Sequence, residues 1–203
     1  ASDSLGSRRG AVVVTEPSTG KILVLVSKPS YNPNQLDRNW EALIRDSDDN
    51  SALYNRATQG LYPPGSTFKL YTTLEYMRET RQYEEFRYTC TGSIGKGKEA
   101  INCYGHEVHG TIGLKKAFSE SCNAAFAQIG AGLNASDWNS LCNSLYYNKT
   151  LPIKELEQKS SRFDAASAEG KGDIMQAAIG QGTVLTTPLQ NSFLVSAVLN
   201  EGK

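Results

Sequence analysis

Two prolines followed at once by a glycine, in Leu61-Tyr62-Pro63-Pro64-Gly65-Ser66-Thr67-Phe68-Lys69, constrain this chain more than any other stretch. The prolines hold the backbone extended and the glycine permits a sharp turn. After it, Phe68, Leu70, Tyr71, Leu74 and Met77 recur at helical spacing. The pattern predicts that Ser66 sits at a helix N-terminus. Lys69, three residues on, then shares a helix face with the Ser66 hydroxyl. A serine hydroxyl attacks poorly until a base takes its proton, and a lysine amine can be that base once burial lowers its pKa. The helix N-terminus adds free N–H groups and a partial positive charge, both of which favour a developing oxyanion.

Ser-x-x-Lys alone is a weak signal. It recurs at Ser18-Thr19-Gly20-Lys21 and Ser93-Ile94-Gly95-Lys96, where the neighbours read as turns. The ordinary meaning of such a match is an N-cap serine beside a solvated lysine. At Ser66 the Pro-Pro-Gly lead-in and a downstream element change the balance. Ser121-Cys122-Asn123 opens another amphipathic run and can present a hydroxyl and an amide to the same cleft.

Together these residues resemble the transpeptidase domain of penicillin-binding proteins, more closely the class B group. The stretch from Asn55 through Ser66 to Lys69 looks like the family's first motif with its lead-in, and Ser121-Cys122-Asn123 like the second. Ile179-Gly180-Gln181-Gly182, followed by Thr187-Pro188-Leu189-Gln190, looks like the segment between the second and third motifs. Residues 10–26 look like the opening hairpin, trailed by Ser30-Tyr31-Asn32-Pro33-Asn34. The third motif, Lys-Thr/Ser-Gly, is absent. Lys149-Thr150-Leu151 is the nearest string, and it falls before the Gln-Gly segment instead of after it. The chain ends at Lys203, where the family still has several strands and a final helix to come, so the resemblance implies a fragment of one transpeptidase-like domain over residues 1–203.

The resemblance implies an α+β fold of the serine β-lactamase/penicillin-binding-protein type: a helical lobe plus an N-terminal β-hairpin of an incomplete antiparallel sheet. It implies serine acyl transfer on D-alanyl-D-alanine stem peptides of peptidoglycan, without a cofactor. Ser66 would be the nucleophile, Lys69 the base, Ser121 the proton relay and Asn123 the holder of Lys69 and of the substrate amide. Gln181, Gly182 and Thr183 would contact substrate. β-Lactams would be covalent inhibitors, cell-wall synthesis or division proteins the partners, and the extracytoplasmic face of a bacterial membrane the location. Half of the family's oxyanion hole lies on the absent strand, and losing one donor costs about 100- to 1000-fold, so the isolated chain is expected to be impaired. A serine β-lactamase, with Glu155, Glu157 or Asp164 as second base, is one alternative reading, and a non-catalytic scaffold fragment another.

Composition excludes little and points nowhere else. At 203 residues a substantial core is possible, and 21 basic residues balance 21 acidic ones, so nothing advertises a nucleic-acid or membrane surface. No apolar run reaches membrane-spanning length and the first residues are no signal peptide, so any membrane attachment would need an anchor absent from this chain. None of the four cysteines falls in a Cys-x-x-Cys pair, which argues against a zinc or iron–sulfur site. Cys90 and Cys103 bracket a Gly- and Lys-rich loop and fit either a disulfide or two reduced thiols, while Cys122 reads as core packing. His106 and His109 flank Glu107 without a third and fourth ligand at suitable spacing, and read as loop histidines bonded to backbone.

Elsewhere, residues 10–16 and 21–27 predict a β-hairpin covered on both faces, and residues 40–44 a short helix before an acidic loop at 46–50. Helices are expected over residues 111–120, 123–133, about 136–145 with Ser136-Asp137 as cap, 171–179 and 189–199. The polar stretch 146–170 is expected to be irregular, with residues 163–168 near the cleft mouth.

Overall fold

The computed structural model describes residues 1–46 and 51–202, and these divide into two compact units. The first comprises Ala1–Tyr62, Lys149–Ser161 and Thr186–Lys203; the second comprises Pro63–Asn148 and Arg162–Leu185.

The first unit opens with one helical turn, α1 (Ser2–Leu5), followed by strands β1 (Gly10–Thr15) and β2 (Ile22–Lys28). These valine-rich strands pair antiparallel, Val12 with Val26 and Val14 with Val24, and the register shifts at Val14/Thr15. The apolar runs had suggested cover on both faces, yet Leu23 is 59% and Val14 41% exposed. Asn32 caps a 3-10 turn by accepting from the Asn34 N–H at 3.0 Å, and α2 (Leu36–Arg45) then runs longer than the expected 40–44. The acidic loop expected at 46–50 lies, from residue 47, outside the described residues.

The second unit begins with a 3-10 turn, Gly65–Phe68, which runs directly into α3 (Lys69–Glu79). Ser66 thus lies in the tight turn before the helix, and Lys69 is the first α-helical residue. Strands β3 (Tyr88–Cys90), β4 (Ser93–Ile94) and β5 (Ile101–Asn102) follow, and β4 pairs with β5. Strand β6 (Gly110–Ile112) pairs with β3 and claims residues expected to be helical, because Thr111 sits opposite Thr89 with their hydroxyls 3.0 Å apart. Helices α4 (Leu114–Ser119), α5 (Asn123–Gly130), α6 (Ala135–Ser144) and α7 (Lys171–Ala178) complete the unit. The cap of α6 is Asn134, whose side chain accepts from the N–H groups of both Ser136 and Asp137; the expected Ser136-Asp137 cap begins two residues too late.

Two apolar clusters support the site. Phe68 points inward from the Ser66 turn onto the rings of Tyr71, Tyr147, Phe163 and Trp138, with centroids 5.0 to 6.1 Å away. Phe163 is therefore core, while Asp164, Ala166 and Ser167 beside it are exposed. A second cluster gathers Phe126, Ile129, Ile112, Leu114 and Met175 around α5. Helices α5 and α7 meet almost backbone to backbone, since a Cβ on Gly130 would fall 2.3 Å from the Cβ of Ala178. The chain ends in α8 (Pro188–Leu199), back in the first unit, capped by the Thr187 hydroxyl and bonded to β1 where the Thr15 hydroxyl meets those of Ser192 and Ser196.

Candidate active site

All seven residues singled out from sequence lie in the second unit. Ser66 is exposed, while Lys69 directly behind it is only 1% exposed. The Lys69 amine reaches four oxygens: Ser66 Oγ at 3.2 Å, Ser121 Oγ at 2.8 Å, the Ser121 carbonyl at 2.6 Å and Asn123 Oδ1 at 2.7 Å. The Ser121 hydroxyl lies 2.9 Å from that of Ser66, so the two hydroxyls and the amine form a closed triangle. Below the amine sits the Phe126 ring, its centroid 5.5 Å away.

Local structure explains how Ser121 and Asn123 arrive there. Helix α4 ends in a Schellman motif: the Cys122 N–H bonds the Ala117 carbonyl at 2.9 Å and the Ser121 N–H bonds the Phe118 carbonyl at 3.1 Å. That motif needs a left-handed residue, usually glycine, and Ser121 fills it at φ +54°. The turn aims both the carbonyl and the hydroxyl of Ser121 at Lys69. Cys122 then caps α5, which starts at Asn123 and fixes its amide. The Asn123 Nδ2 donates to the Asn102 carbonyl at 2.8 Å, so its Oδ1 is the end left to accept from Lys69. Asn102 was not foreseen, because nothing in a sequence marks a backbone carbonyl as an anchor.

The turn after α7 packs on the nucleophile's own turn. The Gly65 N–H donates to the Gly180 carbonyl at 2.9 Å, and a Cβ on Gly180 would fall 2.2 Å from the Gly65 oxygen. Gln181, Gly182 and Thr183 follow directly and are exposed, with Gly182 in the left-handed region at φ +69°.

Burial pushes the Lys69 amine down to about 8, against a smaller opposing pull from the sulfurs of Cys122 and Cys103. The protonation state decides what the cluster can do. An ammonium has three protons to spend on four oxygens, and the longest contact is the one to Ser66. A neutral amine donates twice, to the Ser121 carbonyl and Asn123, which leaves its lone pair toward the two hydroxyls. Asp164, one of the residues considered as a second base, accepts instead from Asn139 at 2.8 Å and from the Ala166 N–H at 3.0 Å. The Asn139 hydrogen bond lowers its pKa.

Both histidines lie outside the α-helices and strands, as expected of loop residues, but their burial differs. His106 is exposed, but the His109 side chain is only 4% exposed and faces three buried cysteines, Cys90, Cys103 and Cys122. His106 and Glu107 are not part of that cluster, in which His109 is joined by three cysteines distant in sequence.

An exposed serine, a buried lysine three residues on, and a Ser-x-Asn element closing over both form a Ser-x-x-Lys arrangement in which a serine hydroxyl can be activated for acyl transfer. A family model described as the penicillin binding protein transpeptidase domain matches residues 10–203, and the chain belongs to that family. It is 34% identical to the peptidoglycan D,D-transpeptidase PbpA of Mycolicibacterium smegmatis, over 97% of this chain and 42% of that protein. It is 30% identical to the peptidoglycan D,D-transpeptidase MrdA of Escherichia coli, over 98% of this chain and 33% of that protein. Penicillin-binding protein A of M. tuberculosis, solved as a penicillin G acyl-enzyme complex, superposes with a TM-score of 0.83 at 31% identity, covering 98% of this chain and 49% of that one. The chain therefore spans less than half the length of these relatives, and the α+β architecture is that of their transpeptidase domains.

Proposed function

We propose that the chain carries the acylation centre of a peptidoglycan D,D-transpeptidase, with Ser66 as nucleophile. The observation that carries this is the buried Lys69 amine, held 3.2 Å from an exposed Ser66 hydroxyl by Ser121 and Asn123. Ser66 Oγ adds to the penultimate carbonyl of a D-alanyl-D-alanine stem peptide, and its proton passes to neutral Lys69. The tetrahedral oxyanion is held by the backbone N–H of Ser66, at the start of the 3-10 turn. Collapse breaks the C–N bond, and the Ser121 hydroxyl passes a proton from the Lys69 ammonium to the departing D-alanine nitrogen. An amine on a neighbouring strand then takes the acyl group by the reverse path. Gln181, Gly182 and Thr183, exposed beside Gly180, would contact the donor peptide.

A β-lactam enters the same path but keeps its leaving nitrogen tethered, so the acyl group stays on Ser66. Such chemistry belongs at the extracytoplasmic face of a bacterial membrane, among other cell-wall synthesis proteins. Among the described residues no helix is long and apolar enough to cross a membrane.

The test is the intact mass of the protein after incubation with benzylpenicillin, beside Ser66→Ala. One lasting adduct, abolished in Ser66→Ala, is the expected result. An adduct that is quickly lost with release of hydrolysed drug would indicate a β-lactamase, and no adduct in folded protein would indicate a scaffold.

A further inference from the structure

We propose that Cys90, Cys103, His109 and Cys122 bind one zinc ion and that this ion braces the Ser121-Cys122-Asn123 element. The four ligand atoms all lie within 4.8 Å of one another. Cys90 Sγ is 3.7 Å from Cys103 Sγ, Cys103 Sγ is 3.8 Å from Cys122 Sγ, and His109 Nδ1 is 3.4 Å from Cys90 Sγ. With Zn–S near 2.3 Å and Zn–N near 2.0 Å, a tetrahedron has edges of about 3.8 Å between sulfurs and about 3.5 Å between sulfur and nitrogen. These three edges match those of a zinc tetrahedron, and the remaining ones stay under 4.8 Å. They do not match a disulfide, whose sulfurs lie about 2.05 Å apart.

The surroundings are those of a ligand set. Cys90 and Cys122 are fully buried and Cys103 is 4% exposed, so three weakly bonding thiols converge where little water can reach. Cys90 Sγ accepts from the Gly92 N–H and Cys122 Sγ from the Ala125 N–H, both at 3.4 Å, which steadies sulfur as thiolate. The outer ring nitrogen of His109, Nε2, is buried without a hydrogen-bond partner, and the Glu107 carboxylate stands 3.8 Å from it. A carboxylate behind a histidine is the usual outer partner that orients a zinc ligand. Three soft thiolates with one imidazole in a closed tetrahedron select zinc over magnesium or calcium, and four protein ligands make the site structural. On binding, the three thiols release their protons to solvent. The product is three thiolates and a neutral imidazole around a divalent ion.

The ion's place in the fold gives it a purpose. Cys103 adjoins Asn102, whose carbonyl holds the Asn123 amide, and Cys122 lies between Ser121 and Asn123. One ion would clamp the loop carrying Cys90, Cys103 and His109 onto the start of α5. The metal assignment stands on its own geometry; only this bracing role rests on the acyl-transfer reading.

The deciding experiment measures metal content and not activity. The protein is purified under reducing conditions, exposed to zinc chloride, dialysed, and examined by elemental analysis and native mass spectrometry. One tightly held zinc per chain is expected, lost in Cys103→Ser and kept in Cys142→Ala, whose cysteine lies outside the cluster. Cobalt(II) added to the chelated wild-type protein should give thiolate-to-metal charge-transfer and intense tetrahedral bands, a readout that survives if the serine variant fails to fold. Zinc far below stoichiometry in folded wild-type protein, or a Cys90–Cys103 disulfide in its place, would overturn the proposal. Bracing predicts in addition that chelation slows penicillin acylation at least tenfold while the protein stays folded; unchanged acylation on zinc loss refutes the bracing and leaves the site.

Discussion

The shortest contact of the Lys69 amine, 2.6 Å, is to the main-chain carbonyl of Ser121, a residue held in the left-handed region at φ +54°. Ser121 therefore serves the site twice, through a strained backbone and through its hydroxyl. A left-handed non-glycine costs about 1–2 kcal/mol. Ser121→Gly should relieve that strain and keep the carbonyl on Lys69, while Ser121→Ala keeps the strain. Both lose the Ser121 hydroxyl, the proposed proton relay, so both should acylate about 100-fold more slowly or worse. Urea denaturation should show the glycine variant about 1 kcal/mol more stable than the alanine variant. Equal stabilities would mean that the Schellman turn relaxes around any side chain.

The pH dependence of acylation follows from Lys69, whose pKa burial lowers to about 8. Below that value the amine is mostly protonated and cannot accept the Ser66 proton. Above it the amine is mostly neutral. The second-order rate with a chromogenic β-lactam should therefore rise about tenfold per pH unit below 8 and level off above it. Lys69→Arg stays charged at every accessible pH and should show no such rise. A wild-type profile flat from about pH 6 to about pH 9 would show the amine already neutral in the resting enzyme.

Two glycines in one turn should respond differently to alanine. Gly180 (φ +71°) faces the Gly65 oxygen at 2.2 Å and the Phe68 Cβ at 2.7 Å, so a methyl group there must push on the nucleophile's own turn. Gly182 (φ +69°) has nothing closer than 3.4 Å, the Gln176 side chain. Gly182→Ala should cost about 1–2 kcal/mol, from backbone strain alone. Gly180→Ala should cost at least about 3 kcal/mol, because steric overlap adds to the strain, and it should slow acylation in whatever fraction folds. Thermal melts of the two variants beside wild type would show it; similar melting temperatures would mean the Gly65–Gly180 contact gives way easily.

Sequence reached some of this and not the rest, for physical reasons. The Ser66–Lys69 pair was legible because a three-residue separation fixes geometry locally, whatever the rest of the chain does. The hairpin and α8 were legible from β-branched runs and from Thr187-Pro188. Ser121 in a glycine's place was not, since the choice of left-handed residue depends on what Lys69 needs. Strand β6 was missed because its three residues pair only with β3, some twenty positions away. The four proposed metal ligands escaped for the same reason. Cys90 and Cys103 are separated by 13 residues and Cys103 and Cys122 by 19, well beyond the short spacings that announce a zinc site.

Glu75, on α3 behind the site, gives a last prediction about stability. Its carboxylate is 1% exposed and bonded to Arg78 at 2.7 Å, while Glu79 and Cys142 also face it. Burial outweighs the arginine and raises its pKa above the usual 4.5. A carboxyl with a raised pKa in the folded state holds its proton where the unfolded chain has already released it. Its contribution to stability is therefore largest at acid pH and is lost as pH rises from about 4.5 through the folded-state pKa. Glutamine mimics the protonated form, and Arg78 is half exposed and gives up little when left to water. Glu75→Gln should thus be at least as stable as wild type at neutral pH, with a flatter stability profile as pH rises above the usual 4.5. Denaturation midpoints across that range decide the matter: a variant markedly weaker at pH 7 would show that the Arg78 pair outweighs the burial of the charge.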